Sequence, residues 1–376
     1  MRKQLNIGII GLGRIGKVHA KGYTHLQKNH PDLPFEPQIH SVLRTRSRAD
    51  LALLAEIGNP LVTTDVQEFF AQPLDVVDIC TPNFLHRVQA LQAFAKGMVV
   101  YCEKPLANTL QETREMADAA VQAGVPTHTA FVFRYLPAVR QLHRAMQSQL
   151  IGKVTHFHIR YFHSNYLDPK KPMAWRLKHD LSGGGALADL GIHAIDLVQY
   201  LIGEPQWAQA QARTYVRKRV ASGRLPLKNT VDVDDWGIIL LGLEGDTCGY
   251  IEASRVAAGK ERGFEVSIFG EKGGLFMNML QPNHARHYDY FKDTWSDLQD
   301  APPASEKEQH MNRIFSSDLP FGDNVHTASI LDFLYGYYSG EETALNFVVA
   351  ASTQQVLEAS YRSAAQEGKR IVLPIK

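Results

Sequence analysis

The sequence of 376 residues has few cysteines, almost no net charge and no long apolar run. Its three cysteines, Cys80, Cys102 and Cys248, lack C-x-x-C spacing, which argues against zinc and predicts reduced core thiols in a cytosolic protein. A net charge of +1 gives no reason to expect nucleic acid or an anionic membrane as a partner. No apolar run reaches the ~18 residues of a membrane helix. The first predicted strand starts too early for a signal peptide, so we expect a cytoplasmic protein. Neither the cysteines nor the scattered histidines have zinc-ligand spacing, so we expect no metal.

A glycine-rich turn near the start is the most informative motif. An apolar run, 5–10, predicts a buried strand that leads into G-x-G-x-x-G and then a helical stretch. The first glycine allows a tight turn, the second lets the backbone approach a pyrophosphate, and the third lets the helix pack close to the strand. The helix start then offers N–H groups to the phosphates. The dinucleotide-binding residues predicted here are Gly11, Gly13, Arg14, Ile15 and Gly16.

The first 130 residues alternate short apolar runs with helical spacing, which predicts βαβ units and a doubly wound parallel sheet. Ligands bind such sheets at the carboxyl ends of the strands. We therefore expect a dinucleotide-binding Rossmann domain over 1–130. Further strands are predicted at 38–43, 75–80, 98–102 and 126–131, and helices at 47–57, 84–96 and 109–123.

The pattern changes after residue 131, where 154–162 alternates apolar and polar residues as a half-buried strand does. The pattern predicts a substrate-binding and oligomerisation domain over 131–376, an α/β domain built on a large open, mostly antiparallel sheet. An apolar sheet face left in water would be a liability, so we expect a homodimer or homotetramer. Other predicted elements are strands at 207–216, 236–243, 247–254, 264–269 and 370–373, helices at 186–202 and within 325–366, and a long polar loop over 282–324.

Two groups of residues could carry out chemistry. Lys104, after an apolar strand, could donate a hydrogen bond to a substrate oxygen and stabilise alkoxide charge, with Glu103 orienting it; a plainly solvated lysine is the alternative. Three glycines, 183–185, allow the backbone and a ligand to approach closely. Asp189 and His193 follow at i and i+4, on one helix face, where a histidine could accept a hydroxyl proton; a polar pair capping a core helix is the alternative.

The basic turn after the second strand bears on the choice of cofactor. An acid at this position usually binds the adenosine ribose of NAD, whereas a basic residue suits the 2′-phosphate of NADP. This chain has no acid there, which favours NADP over NAD; a solvated basic turn is the alternative. The candidate residues are Arg44, Thr45 and Arg46.

Taken in order, these motifs resemble the glucose–fructose oxidoreductase/inositol dehydrogenase/rhizopine-catabolism (Gfo/Idh/MocA) family over nearly the full length. The family pairs an N-terminal Rossmann domain with a C-terminal α/β domain, whose sheet often forms an oligomer interface. Its members oxidise or reduce one carbon of a sugar, cyclitol or related polyol with NAD or NADP. The resemblance rests on G-L-G-R-I-G (11–16), C-T-P-N-F-L-H (80–86), C-E-K-P-L-A (102–107), F-R-Y-L-P (133–137), W-R (175–176) and G-G-G-A-L-A-D-L-G-I-H-A-I-D (183–196).

The resemblance assigns roles to the weak candidates. It implies that Lys104, before a proline whose peptide bond is commonly cis, contacts the reacting oxygen, and that Asp189 and His193 form a pair in which His193 accepts the proton. It also implies a cofactor loop made of Thr81, Asn83 and His86, with Glu103 and Lys104 beside it. The implied substrate-pocket residues are Arg134, Trp175 and Arg176.

The sequence thus predicts an NAD(P)-dependent dehydrogenase of a sugar, inositol or related polyol, with the substrate between the nicotinamide and helix 186–202. Lys104 would polarise the oxygen and His193 would act as general base. Two alternatives keep the fold. One is an NADPH-dependent keto-sugar reductase, and the other is a catalytically silent NAD(P)-sensing regulatory protein.

Overall fold

The computed structural model describes residues 2–45, 51–220, 228–259 and 263–375. Its strands are β1 (Lys3–Ile10), β2 (Phe35–Leu43), β3 (Leu61–Thr63), β4 (Val76–Ile79), β5 (Val99–Cys102), β6 (Thr127–Thr129), β7 (Val154–Phe162), β8 (Trp207–Arg213), β9 (Lys218–Val220), β10 (Lys228–Thr230), β11 (Trp236–Gly242), β12 (Cys248–Ser254), β13 (Gly263–Gly270), β14 (Gly273–Asn278), β15 (Arg286–Asp289), β16 (Thr294–Asp297) and β17 (Ile371–Val372). The helices are α1 (Arg14–Asn29), α2 (Leu51–Glu56), α3 (Val66–Phe70), α4 (His86–Phe94), α5 (Leu110–Ala123), α6 (Pro137–Gln147), α7 (His179–Ser182), α8 (Ile192–Leu201), α9 (Glu306–Phe315), α10 (Phe321–Ser339) and α11 (Phe347–Ala365).

Contacts divide the chain into two compact units. The first comprises Met1–Ala107, Gln111–Val132 and Pro302–Ala351, and the second comprises Asn108–Leu110, Phe133–Ala301 and Ser352–Lys376. The segment 302–351 therefore packs with the N-terminal residues, unlike the single boundary near residue 130 that the sequence predicts. Two contacts of α10 explain this: Gly22 of α1 lies against Thr327, and the Tyr101 hydroxyl donates a hydrogen bond to Ser329 over 2.9 Å.

The first unit is built on a six-stranded parallel sheet in the order β3-β2-β1-β4-β5-β6. Every residue of β4, β5 and β6 is buried. Such burial on both faces explains why β5, V-V-Y-C, is a continuous apolar run rather than an alternating one. The predicted doubly wound sheet is confirmed.

The second unit is built on a nine-stranded sheet in the order β16-β15-β14-β13-β7-β12-β11-β8-β17. The β7–β12 pair is parallel and the other pairs are antiparallel. One face is buried, as at Ile159, Ile251 and Ile239. The opposite face keeps Leu240 at 47% exposure and Trp295 at 50%. The predicted large, mostly antiparallel sheet with one open face is confirmed.

The predicted loop over 282–324 is wrong in part, since it contains β15, β16, α9 and the start of α10. All four residues of β16 are exposed, so this edge strand has no apolar pattern to detect. Backbone pairing with β15 and the packing of Trp295 against Phe276, with ring centroids 5.0 Å apart, hold it instead. The helical C-terminal stretch divides into α10 and α11, because Gly340 ends α10 with φ of 73°.

Two smaller expectations also change. Cys80 and Cys102 are buried as predicted, but Cys248 is exposed at the first position of β12 and is not a core thiol. The first four residues of the predicted helix 47–57 lie outside the described residues, which show α2 from Leu51. Among the described residues, no helix combines the length and apolarity needed to cross a membrane.

Candidate active site

The glycine-rich turn has the geometry that a dinucleotide requires. Gly11 adopts φ of 94°, and a Cβ on Gly16 would lie 2.0 Å from the Gly11 carbonyl oxygen, so the close approach of strand and helix excludes any side chain there. Gly13 is the exposed N-cap residue of α1, and a Cβ on it would meet nothing within 4 Å. Open space therefore adjoins the first N–H groups of α1, at Arg14 and Ile15, which is the arrangement that holds a pyrophosphate.

The loop after β4 is held by internal bonds. The Thr81 hydroxyl donates to Gln89 over 2.6 Å, and Asn83 is buried at 7% exposure. His86 has no exposed surface: its Nε2 lies 2.9 Å from the Thr81 carbonyl oxygen and its Nδ1 lies 3.1 Å from that of Pro105. His86 thus ties the loops after β4 and β5 together, and the cofactor loop of which it is part stays a prediction.

At the end of β2, Arg44 is half-buried and its backbone N–H donates to the Thr63 carbonyl over 3.0 Å. Thr45 is exposed, whereas Arg46 lies outside the described residues. The described part of this turn contains a basic residue where an acid would hold the ribose of NAD, as the sequence predicts.

Beneath Lys104 lies a buried group of charged side chains. The Lys104–Pro105 peptide bond is cis, and the Lys104 N–H donates to Glu103 Oε2 over 3.2 Å. Glu103 Oε1 lies 3.2 Å from His19 Nε2, and His19 Nδ1 lies 3.0 Å from Asp78 Oδ2. His326 Nδ1 is 3.2 Å from His19 Nε2. We call His19, Asp78, Glu103 and His326 the histidine–carboxylate cluster.

Burial and charge oppose each other in this cluster. Burial alone would lower the pKa of His19, but the charge and hydrogen bond of Asp78 raise it well above its usual 6.5. Burial would raise the pKa of Glu103, but the hydrogen bond and charge of His19 lower it to about 2. Burial, reinforced by the His19 charge, lowers the pKa of His326 to about 3. At neutral pH His19 is therefore an imidazolium, Glu103 a carboxylate and His326 a neutral imidazole.

In the second unit, the glycine triplet leads into the helix that carries Asp189 and His193. A Cβ on Gly185 would lie 1.9 Å from the Asp234 carbonyl oxygen, and one on Gly184 would lie 2.2 Å from the Tyr361 hydroxyl. Gly183 has φ of 71°, and a Cβ there would lie 2.6 Å from the Asn108 carbonyl oxygen. All three glycines are therefore required by close protein packing, in place of the ligand approach that the sequence predicts.

Asp234 is the residue that fixes the start of this helix, and sequence reasoning missed it. Its Oδ1 accepts the Gly185 N–H over 2.8 Å, and its Oδ2 accepts the Leu187 N–H over 2.8 Å. The Tyr361 hydroxyl also donates to Oδ1 over 2.8 Å. Asp234 is 6% exposed, so a buried carboxylate caps the helix through charge-assisted bonds. The only sequence signal is the acidic run V-D-V-D-D-W (231–236).

The helix begins with a π turn, Leu187–Gly191, that continues into α8. Such turns are rare and frequently mark functional sites. Asp189 is half-buried within the turn, and His193 is 6% exposed one turn further on. The His193 ring stacks on Phe133 with centroids 4.4 Å apart and planes 16° apart, which fixes the ring orientation.

The predicted pocket residues have different surroundings. Arg134 forms a bidentate pair with Asp196 of α8, with Nη2 2.6 Å from Oδ1. Burial raises the pKa of Asp196, against the influence of Arg134. Arg134 therefore anchors α8 and its guanidinium is already engaged. Trp175 is half-buried and exposed Arg176 lies over its ring at 4.2 Å, so only this pair presents side-chain surface of the kind the sequence predicts for a pocket.

Two buried arginines hold the loop that precedes this pair. Arg219, 1% exposed, donates to the carbonyl oxygens of Asp168 and Tyr166, the former over 2.6 Å. Arg255, fully buried, donates to the carbonyl oxygens of Asp234 and Arg176, over 2.9 and 3.3 Å. Both guanidinium groups lie over the Tyr166 ring. Such bonds order the 166–176 backbone from beneath.

Comparison with known proteins agrees with this geometry. Residues 5–131 match the model of an oxidoreductase family with an NAD-binding Rossmann fold, and residues 139–276 match the Gfo/Idh/MocA C-terminal domain. The levoglucosan dehydrogenase of Pseudarthrobacter phenanthrenivorans is 32% identical over 293 residues, which is 73% of this chain and 74% of that protein. The chain belongs to the Gfo/Idh/MocA family. The family predicted from the motifs is confirmed.

Solved structures extend the likeness of this Gfo/Idh/MocA protein to the whole chain. An NAD-binding oxidoreductase from Klebsiella pneumoniae superposes with a TM-score of 0.89 and 30% identity, covering 99% of this chain and all of that one. A levoglucosan dehydrogenase in complex with NADH and levoglucosan superposes with a TM-score of 0.87 and 25% identity, covering 99% of this chain and 100% of that one. The protein is therefore an oxidoreductase with an NAD-binding domain.

The Asp234 cap generates a stability prediction. We expect Asp234→Asn to lower the free energy of unfolding by ~2–3 kcal/mol, because an amide NH₂ would oppose one of the buried N–H donors and remove the charge from the rest. Urea unfolding followed by circular dichroism would measure it.

Asp232→Asn is the matched control. Asp232 also accepts a backbone N–H, from His179 over 2.7 Å, but its side chain is 46% exposed. We expect a change within ~0.5 kcal/mol. Equal losses in the two variants would contradict the special role of Asp234.

Proposed function

We propose that the protein oxidises a CH–OH carbon of a sugar, an anhydrosugar such as levoglucosan, or a related polyol such as an inositol, with a nicotinamide dinucleotide as hydride acceptor. The observation that carries this proposal is the open space at Gly13 beside the start of α1, in a chain whose Lys104, Asp189 and His193 match the catalytic pattern that the family resemblance implies. A similar protein is named levoglucosan dehydrogenase, which supports levoglucosan as the first substrate to test.

The residues of the chain would divide the work as follows. The glycine-rich turn would bind the pyrophosphate through the N–H groups of α1. Bound nicotinamide would supply the hydride acceptor. Lys104 would donate a hydrogen bond to the substrate oxygen and stabilise its developing negative charge. His193, its ring held by Phe133, would accept the hydroxyl proton, with Asp189 beside it.

A second histidine, His163, lies near Asp189 in the second unit. His163 lies close enough for the Asp189 carboxylate to raise its pKa, although burial, the larger influence, makes the net shift downward. A neutral His163 would not compete with His193 as the positively charged partner of the Asp189 carboxylate. The carboxylate would then stabilise the imidazolium that forms when His193 takes up a proton.

For the cofactor, we propose NADP in preference to NAD. Arg44 lies at the end of β2, where a basic residue suits a 2′-phosphate. A solved levoglucosan dehydrogenase holds NADH, and this favours NAD as the second candidate. Preference for NADPH would also favour the reverse direction, the reduction of a keto-sugar.

A silent NAD(P)-sensing protein is the alternative from another class. The buried histidine–carboxylate cluster beneath Lys104 argues against a catalytically silent protein. Two buried carboxylates and an imidazolium are costly to maintain, and perturbed groups of this kind concentrate at functional sites.

We also propose that the open face of the nine-stranded sheet joins two copies of this chain in the cytoplasm. Register pairing aligns one row of this face across six strands. Exposed Leu240 lies at one end, and the row is rich in aromatic rings, which are enriched at interfaces. The row is Leu240, Tyr250, His158, Ser267, Phe276 and Arg286.

Cofactor choice is tested by fluorescence titration with NADPH and NADH in parallel. We expect tighter binding of NADPH, because Arg44 would pair with the 2′-phosphate, and Arg44→Ala should remove the difference. Tighter binding of NADH would make NAD the cofactor, and binding of neither would contradict the dinucleotide site.

Catalysis is tested with Lys104→Ala on levoglucosan, D-glucose and myo-inositol. We expect kcat to fall by ~10²–10³ for the accepted sugar, as for loss of an oxyanion donor, with dinucleotide Kd within about threefold. Exposed Lys96, in the turn before β5, gives the control Lys96→Ala, which should behave as the parent protein. Intact turnover in Lys104→Ala would refute the assignment.

The oligomer is tested by sedimentation. We expect Leu240→Arg to convert a dimer or tetramer into a smaller species, because it puts a charge into the proposed interface. Leu51→Arg, at a leucine that is 78% exposed on α2, should leave the assembly unchanged. A monomeric parent protein would rule out the interface.

A further inference from the structure

The histidine–carboxylate cluster lies within the first unit and is not explained by cofactor or substrate binding. Asp78 and His19 have no exposed surface, and Glu103 is 7% exposed. Three elements supply the groups: α1 carries His19, β4 carries Asp78, and Glu103 directly follows β5. The Glu103 N–H donates to the Ile79 carbonyl over 3.0 Å, so the ends of the two strands are joined at this point.

Short contacts give His19 two carboxylate partners: Asp78 is hydrogen-bonded at Nδ1, and Glu103 forms an ion pair at Nε2, where His326 is the hydrogen-bond partner. Nδ1 lies 3.0 Å from Asp78 Oδ2, and Nε2 lies 3.2 Å from Glu103 Oε1. Only an imidazolium has a proton at both nitrogens. Placed between two buried carboxyl groups, the imidazolium supplies the positive charge that keeps Glu103 ionised despite its burial.

The bridge reaches Lys104 through Glu103. Glu103 Oε1 forms an ion pair with His19 Nε2 at 3.2 Å, while Oε2 accepts the N–H of Lys104 over 3.2 Å. One carboxylate therefore connects the imidazolium to the backbone of the proposed catalytic residue. Rotation of the Glu103 side chain would break both contacts at once.

We propose that His19 and Asp78 are positioning residues for Lys104: an imidazolium between Asp78 and Glu103 holds the Glu103 carboxylate ionised and in place, and Glu103 holds the Lys104 backbone. This inference rests on the proposed function for its catalytic consequence, whereas the state of the imidazolium is independent of it.

Other groups face the cluster and are consistent with this charge state. Cys80 Sγ lies 3.1 Å from His19 Nδ1 and donates to Asp78 Oδ1 over 3.2 Å. Burial raises the pKa of Cys80 far above 9.0, so it is a neutral thiol. From β5, the Tyr101 ring meets His19 edge-on with centroids 5.4 Å apart, and burial raises the pKa of that phenol as well. Tyr23 of α1 is neutral for the same reason, with Asp78 adding to the effect.

His326 from α10 could also suggest a metal site. Its Nδ1 lies 3.2 Å from His19 Nε2 and 3.9 Å from Glu103 Oε1, within the range of shared metal ligands. A metal on His19 Nε2 would need that nitrogen without its proton, against the double protonation that the two carboxylates stabilise. The charge state of His19 therefore argues against a metal at this nitrogen.

The bridge makes the stability of the fold depend on pH in two opposite directions. The Glu103 pKa of about 2 lies below its usual 4.5, so its contribution to stability is present above pH 4.5 and is lost as the pH falls from 4.5 to 2. The raised pKa of His19 contributes stability that is present below pH 6.5 and is lost as the pH rises through the folded value. Near neutrality both groups are charged, so the bridge is complete.

The test begins with the imidazolium itself. In the parent protein labelled with ¹⁵N-histidine, we expect NMR to show both ring nitrogens of His19 protonated at pH 7.5, with the resonance assigned by its absence in His19→Gln. A neutral His19 ring would overturn the inference. This readout requires no substrate, so it stands even if no sugar is turned over and the proposed function fails.

The second measurement is the pH profile of kcat for the accepted sugar. In His19→Gln the cation is absent and burial remains, so the pKa of Glu103 should rise and the carboxylate should be lost as the pH falls. We expect a new decline in rate on the acid side and a loss of kcat of ~10–100-fold, with dinucleotide Kd within about threefold. A purely structural role would not create a new acid limb.

Two further variants complete the test. Glu103→Gln keeps the size of the side chain but imitates its protonated state, so it should match the acid plateau of His19→Gln and show no acid limb. His30→Gln is the control, since His30 is 1% exposed, caps the C-terminus of α1 and lies 2.9 Å from His310. Its profile should equal that of the parent. A folded His19→Gln or Glu103→Gln protein with the parental kcat and pH profile would overturn the positioning role.

Discussion

Pairing of buried carboxylates is the constraint on which both compact units depend. A buried carboxylate without partners costs several kcal/mol, so each one dictates what surrounds it. In the first unit Asp78 and Glu103 share one imidazolium. In the second, Asp196 takes the fork of Arg134, and Asp234 takes two backbone N–H groups and a tyrosine hydroxyl. These pairs lie directly beneath or beside the residues proposed to act.

The constraint explains sequence features that look functional on their own. The glycine triplet resembles a ligand-binding turn, yet each glycine is required because a protein group occupies the space of its side chain. Arg134 resembles a substrate ligand, yet it neutralises Asp196 and so fixes α8. His86 resembles part of a cofactor loop, yet it joins two loops from within. Residue type alone does not distinguish a group that binds a ligand from one that holds such a group in place.

Local signals were sufficient for the first sheet and for the glycine-rich turn. Buried strands such as β5 are short apolar runs between turn residues, and the spacing of Gly11, Gly13 and Gly16 has a direct steric meaning. The family followed from several motifs in order. These features depend on residues that are neighbours in the chain, which is why the sequence reveals them.

The features that the sequence did not predict depend on contacts between residues that are distant in the chain. Asp234 caps a helix that starts about fifty positions earlier, and α10 packs beside α1, about three hundred positions away. The exposed edge strand β16 has no apolar face, so its pairing leaves no periodic pattern. The candidate site residues come from the family resemblance alone, because a lysine or a histidine has no local pattern that separates a catalytic group from a solvated or core one.

In this arrangement, the residues that hold the proposed catalytic groups in place differ from those proposed to contact the substrate. The groups that hold Lys104 and the helix of His193 are buried and mutually bonded, so changing one removes a partner from a buried charge. The 166–176 loop is held by backbone carbonyls that Arg219 and Arg255 bind, and by Tyr166, Met173 and Ala174, whose side chains pack against a buried apolar cluster. Loop side chains such as Arg176 can therefore vary without disturbing their supports. If this loop lines the proposed substrate pocket, its exposed residues are the positions at which the choice of substrate can change without disturbing the buried groups.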